Sequence, residues 1–226
     1  DYAIDNQLME QPNPATHSKS IERKKSVKNP ALQIDELPEF FKDLQELSVK
    51  VQLAIKLQLL WAVRTSVVIR AQDKWINKAD QLCIVPANTP GLKQEAKNQD
   101  TNEDFKIPLT PLVLQIAEAR SGQGYWFPSA PSSQSKFLHK GTLSMQIGEL
   151  AGGKWKGRVT PHGFRAMFST AADEVFRFDV RIAELCLGHQ VGSQVFRIYN
   201  RAELLDERRT LMMKWEQLLI DNGLKV

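Results

Sequence analysis

The sequence predicts an α+β fold, mostly α-helical, with one small antiparallel β-sheet or hairpin. Three observations carry that expectation. Apolar residues recur at helical spacing through most of the chain after residue 30. Two short β-rich runs, QLCIVPA and DFKIPLT, flank a polar connection. No internal repeat is present, and strands do not alternate with helices as a parallel sheet would require. With 226 residues and 42% hydrophobic composition, the chain can bury a substantial core.

The first 30 residues are polar and contain proline (EQPNPATHSKS), with no apolar periodicity. They read as a basic interdomain linker or the tail of a preceding domain, with residues 31–226 as the folded unit. In PALQIDELPEFFKDLQEL, Asp35 can cap a helix, and Leu37, Phe40, Phe41, Leu44 and Leu47 fall on one face. The next helix, about 48 to 64, is apolar nearly all round and is therefore expected at the centre. QLCIVPA and DFKIPLT then predict a hairpin whose long connection runs from Asn88 to Glu103. Thr110 and Pro111 supply a cap and first position for a helix ending near Gly122. After the turn-rich YWFPSAPSS, helices are expected at roughly 139–150, 160–176, 179–187, 193–199 and 201–221.

Cys83 and Cys186 are isolated in apolar surroundings, without the spacing of a zinc site or a disulfide framework. The apolar run from Leu57 to Val63 is broken by Gln58 and is too short for a membrane span, and no charged-then-apolar signal opens the sequence. A soluble cytoplasmic protein without a membrane partner is the expectation. The formal net charge is +4, yet Lys19, Arg23, Lys24, Lys25 and Lys28 against Glu22 account for all of it. Bulk charge therefore identifies no partner; the placement of charge must. The basic segment is either a solvated tail or a strap across a DNA backbone.

The chemistry concentrates between 160 and 201. Thr160 and Pro161 open a helix, so His162 and Arg165 lie three apart on one face of its first turns. An imidazole beside a guanidinium fork near a helix N-terminus suits an anion such as phosphate. Capping or a buried pair would use the same residues. His189 follows Gly188 at a helix end, where it can cap the helix or reach into a cleft. Ten residues on, Tyr199 sits between Arg197 and Arg201, and a tyrosine among apolar neighbours is commonly a core residue. Only the combination is informative.

HGFRAMFSTAADE, LCLGHQ and VFRIYNRAELLDERR together resemble the catalytic domain of the tyrosine recombinases, the phage-integrase family, and in particular its prophage and genomic-island members. An H-x-x-R, a later L-G-H and a tyrosine about ten residues further on occur in the family's order and spacing, over about residue 30 to the C-terminus. The resemblance implies an earlier arginine, which LQLLWAVRTSVV supplies as Arg64. It also implies a hairpin lysine, for which VPANTPGLKQEAK offers Lys93 first and Lys97 second. The implied catalytic set is Arg64, Lys93, His162, Arg165, His189 and the nucleophile Tyr199, with Lys24, Lys25, Arg197 and Arg201 as DNA contacts. One position departs from the family pattern: Val67 stands where an acidic residue commonly helps hold the first arginine.

The chemistry is consistent with those residue types. Attack on a phosphodiester concentrates charge on its non-bridging oxygens, which two arginines can stabilise. No carboxylate cluster of the kind a two-metal nuclease needs lies near these motifs, so neither metal nor cofactor is expected. A tyrosine hydroxyl of pKa near ~10 needs cations and a proton acceptor, here Arg64, Arg165 and His162. Lys93 suits protonation of the departing 5′ oxygen. The resemblance implies a site-specific DNA integrase acting through a 3′-phosphotyrosyl intermediate on double-stranded attachment sites, with an excision or DNA-bending protein as a further partner. It also implies a tetramer on DNA, coupled through the final helix. The stripe Leu204, Leu205, Leu211, Met212, Trp215, Leu218 and Leu219 on that helix packs either on its own core or on a neighbour. A non-catalytic DNA-binding relative and a type IB topoisomerase-like enzyme are the alternatives.

Overall fold

The centre of the fold is a helix without a polar face. The structure, a computed structural model, describes residues 6–8, 29–92, 103–189, 191 and 203–226. Helix α1 (Leu37–Asp43) and helix α2 (Val49–Trp61) come first. Every residue of α2 from Val51 to Trp61 is buried, including Gln52, Lys56 and Gln58. The two glutamines turn their amides back to main-chain carbonyls, Gln52 to Leu47 O at 2.7 Å and Gln58 to Val63 O. Hydrogen bonds of this kind offset the cost of burying an amide inside an apolar core. Each fully buried Leu along α2 contributes about 1.5–3 kcal/mol.

The helix stops because Ala62 adopts a left-handed conformation (φ 50°, ψ 20°), and the chain re-enters a single turn, α3 (Thr65–Val68), whose first-turn boundary residue is Arg64. Three short strands follow: β1 (Ile76–Asn77), β2 (Leu82–Val85) and β3 (Phe105–Pro108). They form one antiparallel sheet in the order β1-β2-β3, with Cys83 opposite Ile107 and Val85 opposite Phe105. The hairpin is thus as expected; the two-residue strand β1 has too little pattern to be read in advance. Helices α4 (Pro111–Arg120), α5 (Thr142–Gly153), α6 (Gly163–Thr170), α7 (Val180–Cys186) and α8 (Leu205–Asp221) complete the α-helices among the described residues.

Several local readings are corrected. Asp35 does not cap α1; a 3-10 turn over Ile34–Glu36 precedes it, and the Glu36 carboxylate accepts the Gln33 N–H at 2.8 Å. Thr110 does not cap α4 either. Its hydroxyl bonds the buried Glu216 carboxylate of α8, which also accepts the Leu112 N–H at 3.1 Å, so the cap comes from across the fold. The helix expected over 139–150 begins at Thr142 and breaks at Leu150–Gly152, where Ala151 is left-handed. The helix expected over 160–176 becomes α6 followed by a π-helical turn, Ala171–Val175.

Leu211, Met212, Trp215 and Leu219 of α8 are buried in the chain's own core, where the Trp215 indole N–H donates to Leu59 O at 2.9 Å. The apolar stripe of the last helix therefore packs on α2, α7 and β3 of the same chain. Among the described residues, no helix is long and apolar enough to cross a membrane.

Candidate active site

Arg64, His162 and Arg165 come from three separate stretches and meet at one open pocket of about 330 Å³, which Thr65, Ser66, His139, Lys140, Gly141 and Pro161 also line. None of these lining residues is acidic. Arg64 arrives at the exit of α2, where the left-handed Ala62 turns the chain. His162 and Arg165 arrive at the start of α6, where His162 is the boundary residue and the Thr160 hydroxyl accepts the Gly163 N–H at 2.9 Å. Gly163 is required for a different reason: a Cβ there would lie 2.0 Å from Pro30 O, so the chain entering the fold runs directly over the start of α6.

Arg165 is 4% exposed. One Nη donates to Ala62 O at 2.7 Å and the other to His189 Nε2 at 2.7 Å. A guanidinium has only donors, so His189 Nε2 must accept. Its Nδ1 then carries the proton, donated to Glu184 Oε2 at 2.7 Å. Glu184, His189 and Arg165 thus form a relay that fixes ring and fork together. Gly188, at φ +68°, lets the chain leave α7 so that His189 can turn back. Glu184, one helical turn earlier, is a partner that sequence reasoning did not single out.

Burial draws Arg165 from 12.5 down to about 10, and the positive charge of Arg64 adds to that pull while Glu184 opposes it. It remains charged at neutral pH. His162 is likewise lowered, first by burial and then by the charges of Arg165 and Arg64 and by His189. Its ring is accordingly poised as a neutral acceptor. Arg64 donates from Nη1 to Gly91 O at 2.6 Å. With Val67 wholly buried, a backbone carbonyl rather than a carboxylate holds this guanidinium among the described residues. Two guanidinium groups and the Lys140 ammonium thus line one cavity with no acidic group among its described lining residues, an arrangement that calls for an anion.

Lys93, Lys97, Arg197, Tyr199, Arg201, Lys24 and Lys25 lie outside the described residues, as does the helix expected over 193–199. The ends of the tyrosine-bearing stretch are described. His189 is held by Arg165, and Glu203 pairs with Lys106 of β3 at 2.8 Å. The buried Arg208, at the start of α8, donates to Lys106 O. Sequence reasoning missed His139 and Lys140; the only available signal was a basic pair, FLHKGT, just ahead of a helical pattern.

Over 205 residues the chain is 29% identical to prophage integrase IntZ of Escherichia coli K12, covering 86% of this chain and 47% of that protein. It is 24% identical over 205 residues to prophage integrase IntA of the same strain, covering 89% and 47%. It is 26% identical over 192 residues to the integrase of Shigella phage Sf6, covering 84% and 48%. Among solved structures, the integrase from mycobacterium phage Brujita superposes with a TM-score of 0.59 at 19% identity, over 90% of this chain and 66% of that one. No family model matches. The chain spans about half the length of the curated relatives it matches.

Proposed function

We propose, from the premise that the chain belongs to the phage-integrase (tyrosine recombinase) family, that it is the catalytic part of a site-specific DNA recombinase that integrates or excises a mobile element. The observation that carries this reading is the pocket itself, where Arg64, Arg165 and a neutral His162 converge with no acidic residue among the described residues that line it. A phosphodiester group supplies the missing negative charge, with arginine donors about 3 Å from its non-bridging oxygens.

In the proposed reaction the Tyr199 hydroxyl attacks the scissile phosphorus and passes its proton to His162. The P–O5′ bond breaks and the departing 5′ oxygen takes a proton from Lys93, with Lys97 as the alternative donor. Arg64 and Arg165 balance the charge on the non-bridging oxygens through the transition state, and His189 orients Arg165. The product is a 3′-phosphotyrosyl link and a free 5′ hydroxyl. Because the ester is conserved, a second 5′ hydroxyl reverses the step on another strand without ATP, metal or cofactor.

Double-stranded attachment sites are the proposed substrate, with the basic stretch around Lys24 and Lys25, and Arg197 and Arg201, on phosphates. Self-association on DNA through α8 would require part of that helix to leave its present bed or to use its outer face. An excision or DNA-bending protein is a further partner, and the cytoplasm the proposed location. The related proteins described above are integrases by name, and nothing in the pocket favours the non-catalytic or topoisomerase-like alternatives.

The test is a nicked duplex whose short fragment carrying the new 5′ hydroxyl diffuses away on cleavage, drawn from a pool randomised around the nick. Covalent protein–DNA adducts and strand transfer between two duplexes are expected, with both lost in Tyr199→Phe. Intact DNA binding with no adduct would reject catalysis, and relaxation of supercoils without strand transfer would reject recombination.

A further inference from the structure

Lys140 and His139 line the same pocket as Arg64, His162 and Arg165, but lie outside the sequence motifs that single out those three. Their position is built rather than incidental. Leu138, immediately before them, is buried, and its N–H donates to Phe127 O at 2.9 Å. Phe137 packs on Tyr125 with ring centroids 5.3 Å apart, and the Arg70 guanidinium lies 4.5 Å over its ring. On the other side, Thr142 N–H donates to His139 O at 2.9 Å, where the chain enters α5. The lysine is therefore carried on backbone fixed at both ends.

The histidine is fixed as well. Gly141 N–H donates to His139 Nδ1 at 3.1 Å, so Nδ1 is the acceptor and the neutral ring carries its proton on Nε2. A Cβ on residue 141 would stand 3.2 Å from that Nδ1, closer than most side chains tolerate, so glycine keeps the contact open. His139 thus has an N–H donor left over. Among the described residues Lys140 makes no ion pair, whereas Lys154, Lys106 and Lys78 each have a carboxylate. Arg165, by contrast, has one Nη given to Ala62 and the other to His189, and Arg64 has one given to Gly91. The arginines have donors left for one phosphate group, and Lys140 and His139 add further donors to the same pocket.

We propose that Lys140, with the Nε2–H of His139, forms a second phosphate subsite that binds the phosphate next to the scissile one on the same DNA strand. The proposal rests on the pocket being the scissile-phosphate site. Its effect is to fix the register of the strand, so that one particular phosphodiester, and not its neighbour, lies against Arg64 and Arg165. Base identity is not read here, because a backbone phosphate carries none.

The experiment uses the 226-residue chain, its Lys140→Ala and Lys140→Arg variants, and the nicked-duplex pool described above. Binding is measured over a salt series, and adduct formation is measured with both an ordinary and a bridging 5′-thio linkage. Lys140→Ala should flatten the slope of log affinity against log salt by about 0.9, the value of one neutralised phosphate. It should also spread cleavage over adjacent phosphodiesters and slow adduct formation equally with either linkage. Lys140→Arg should restore slope and register. An unchanged slope with single-position cleavage in Lys140→Ala overturns the proposal. So does selective rescue by the thio leaving group, which would make Lys140 the proton donor instead. Should the unsubstituted chain form no adduct at all, it is the recombinase reading that fails.

Discussion

Replacing Gly91 with alanine puts a methyl group where there is no room for one. The added Cβ would lie 1.9 Å from Ser66 Oγ and 3.2 Å from Ser66 Cβ, and the backbone there has φ +103°, a conformation side chains rarely adopt. The strain of such a residue is on the order of 1–3 kcal/mol, and the segment relieves it by shifting. The shift displaces Gly91 O, the acceptor 2.6 Å from Arg64 Nη1. A hydrogen bond to a charged group is worth about 1.5–3 kcal/mol. If that bond holds Arg64 in the transition state, losing it slows cleavage by roughly ten- to a hundredfold. The assay is the rate of adduct formation on the nicked duplex at saturating DNA, beside the dissociation constant and the melting temperature. Gly91→Ala should lose rate with much less loss of affinity, and adding Ser66→Ala should restore part of it by removing the nearest atom. A wild-type rate in folded Gly91→Ala would refute the assignment of Gly91 as the positioning residue for Arg64.

Three further outcomes are expected. Because burial and nearby cations lower His162 from 6.5, the cleavage rate should hold as pH drops below that value and fall only as the ring finally protonates. The same shift means that stability linked to His162 is fully present above pH 6.5 and is lost as pH falls toward the lowered value; denaturant titrations of His162→Gln should lack that loss. Asp43 accepts from Lys154 Nζ at 2.8 Å and from the buried Trp155 indole at 2.9 Å, so Asp43→Ala should cost about 1–3 kcal/mol in urea unfolding without changing the adduct rate at saturating DNA. The Lys154 hydrogen bond holds Asp43 below 3.8, so its contribution is present above that pH and disappears in acid. Replacing Lys24 and Lys25 together with alanine should weaken binding to all sequences alike and lower the salt slope by up to about 1.8, and an unchanged slope would show that this segment does not cross the DNA backbone.

What could be read from the sequence was what depends on local chemistry. Helix α2 announces its central place because eleven successive positions are buried and most are apolar. The hairpin is legible in QLCIVPA and DFKIPLT because β-branched and aromatic residues sit between turn residues. The Thr160 hydroxyl accepts the Gly163 N–H where α6 begins, although the residue bounding that helix is His162, two positions later than the sequence suggests. The remainder depends on contacts between distant segments. Glu216 caps α4 from 104 residues away in sequence, which no local window can show. His139 and Lys140 join Arg64 in lining one pocket through tertiary contacts such as the Leu138 N–H to Phe127 O bond. Val67 removes an expected carboxylate, and the substitute, Gly91 O, is a main-chain atom without a side-chain signature. The glycine of HGFR illustrates both cases: its place in the motif is plain, but its reason, the carbonyl of Pro30 pressed against it, is tertiary.

The central claim is that Tyr199 becomes covalently joined to a 3′ phosphate held by Arg64 and Arg165. Digestion of the trapped protein–DNA adduct, followed by mass spectrometry of the nucleotide-bearing peptide, tests it directly. The account predicts a single modified peptide containing Tyr199, with the mass of a 3′-phosphoryl ester and a free 5′ hydroxyl on the released strand. An adduct on another residue, or a 5′-phosphoryl linkage, would contradict it.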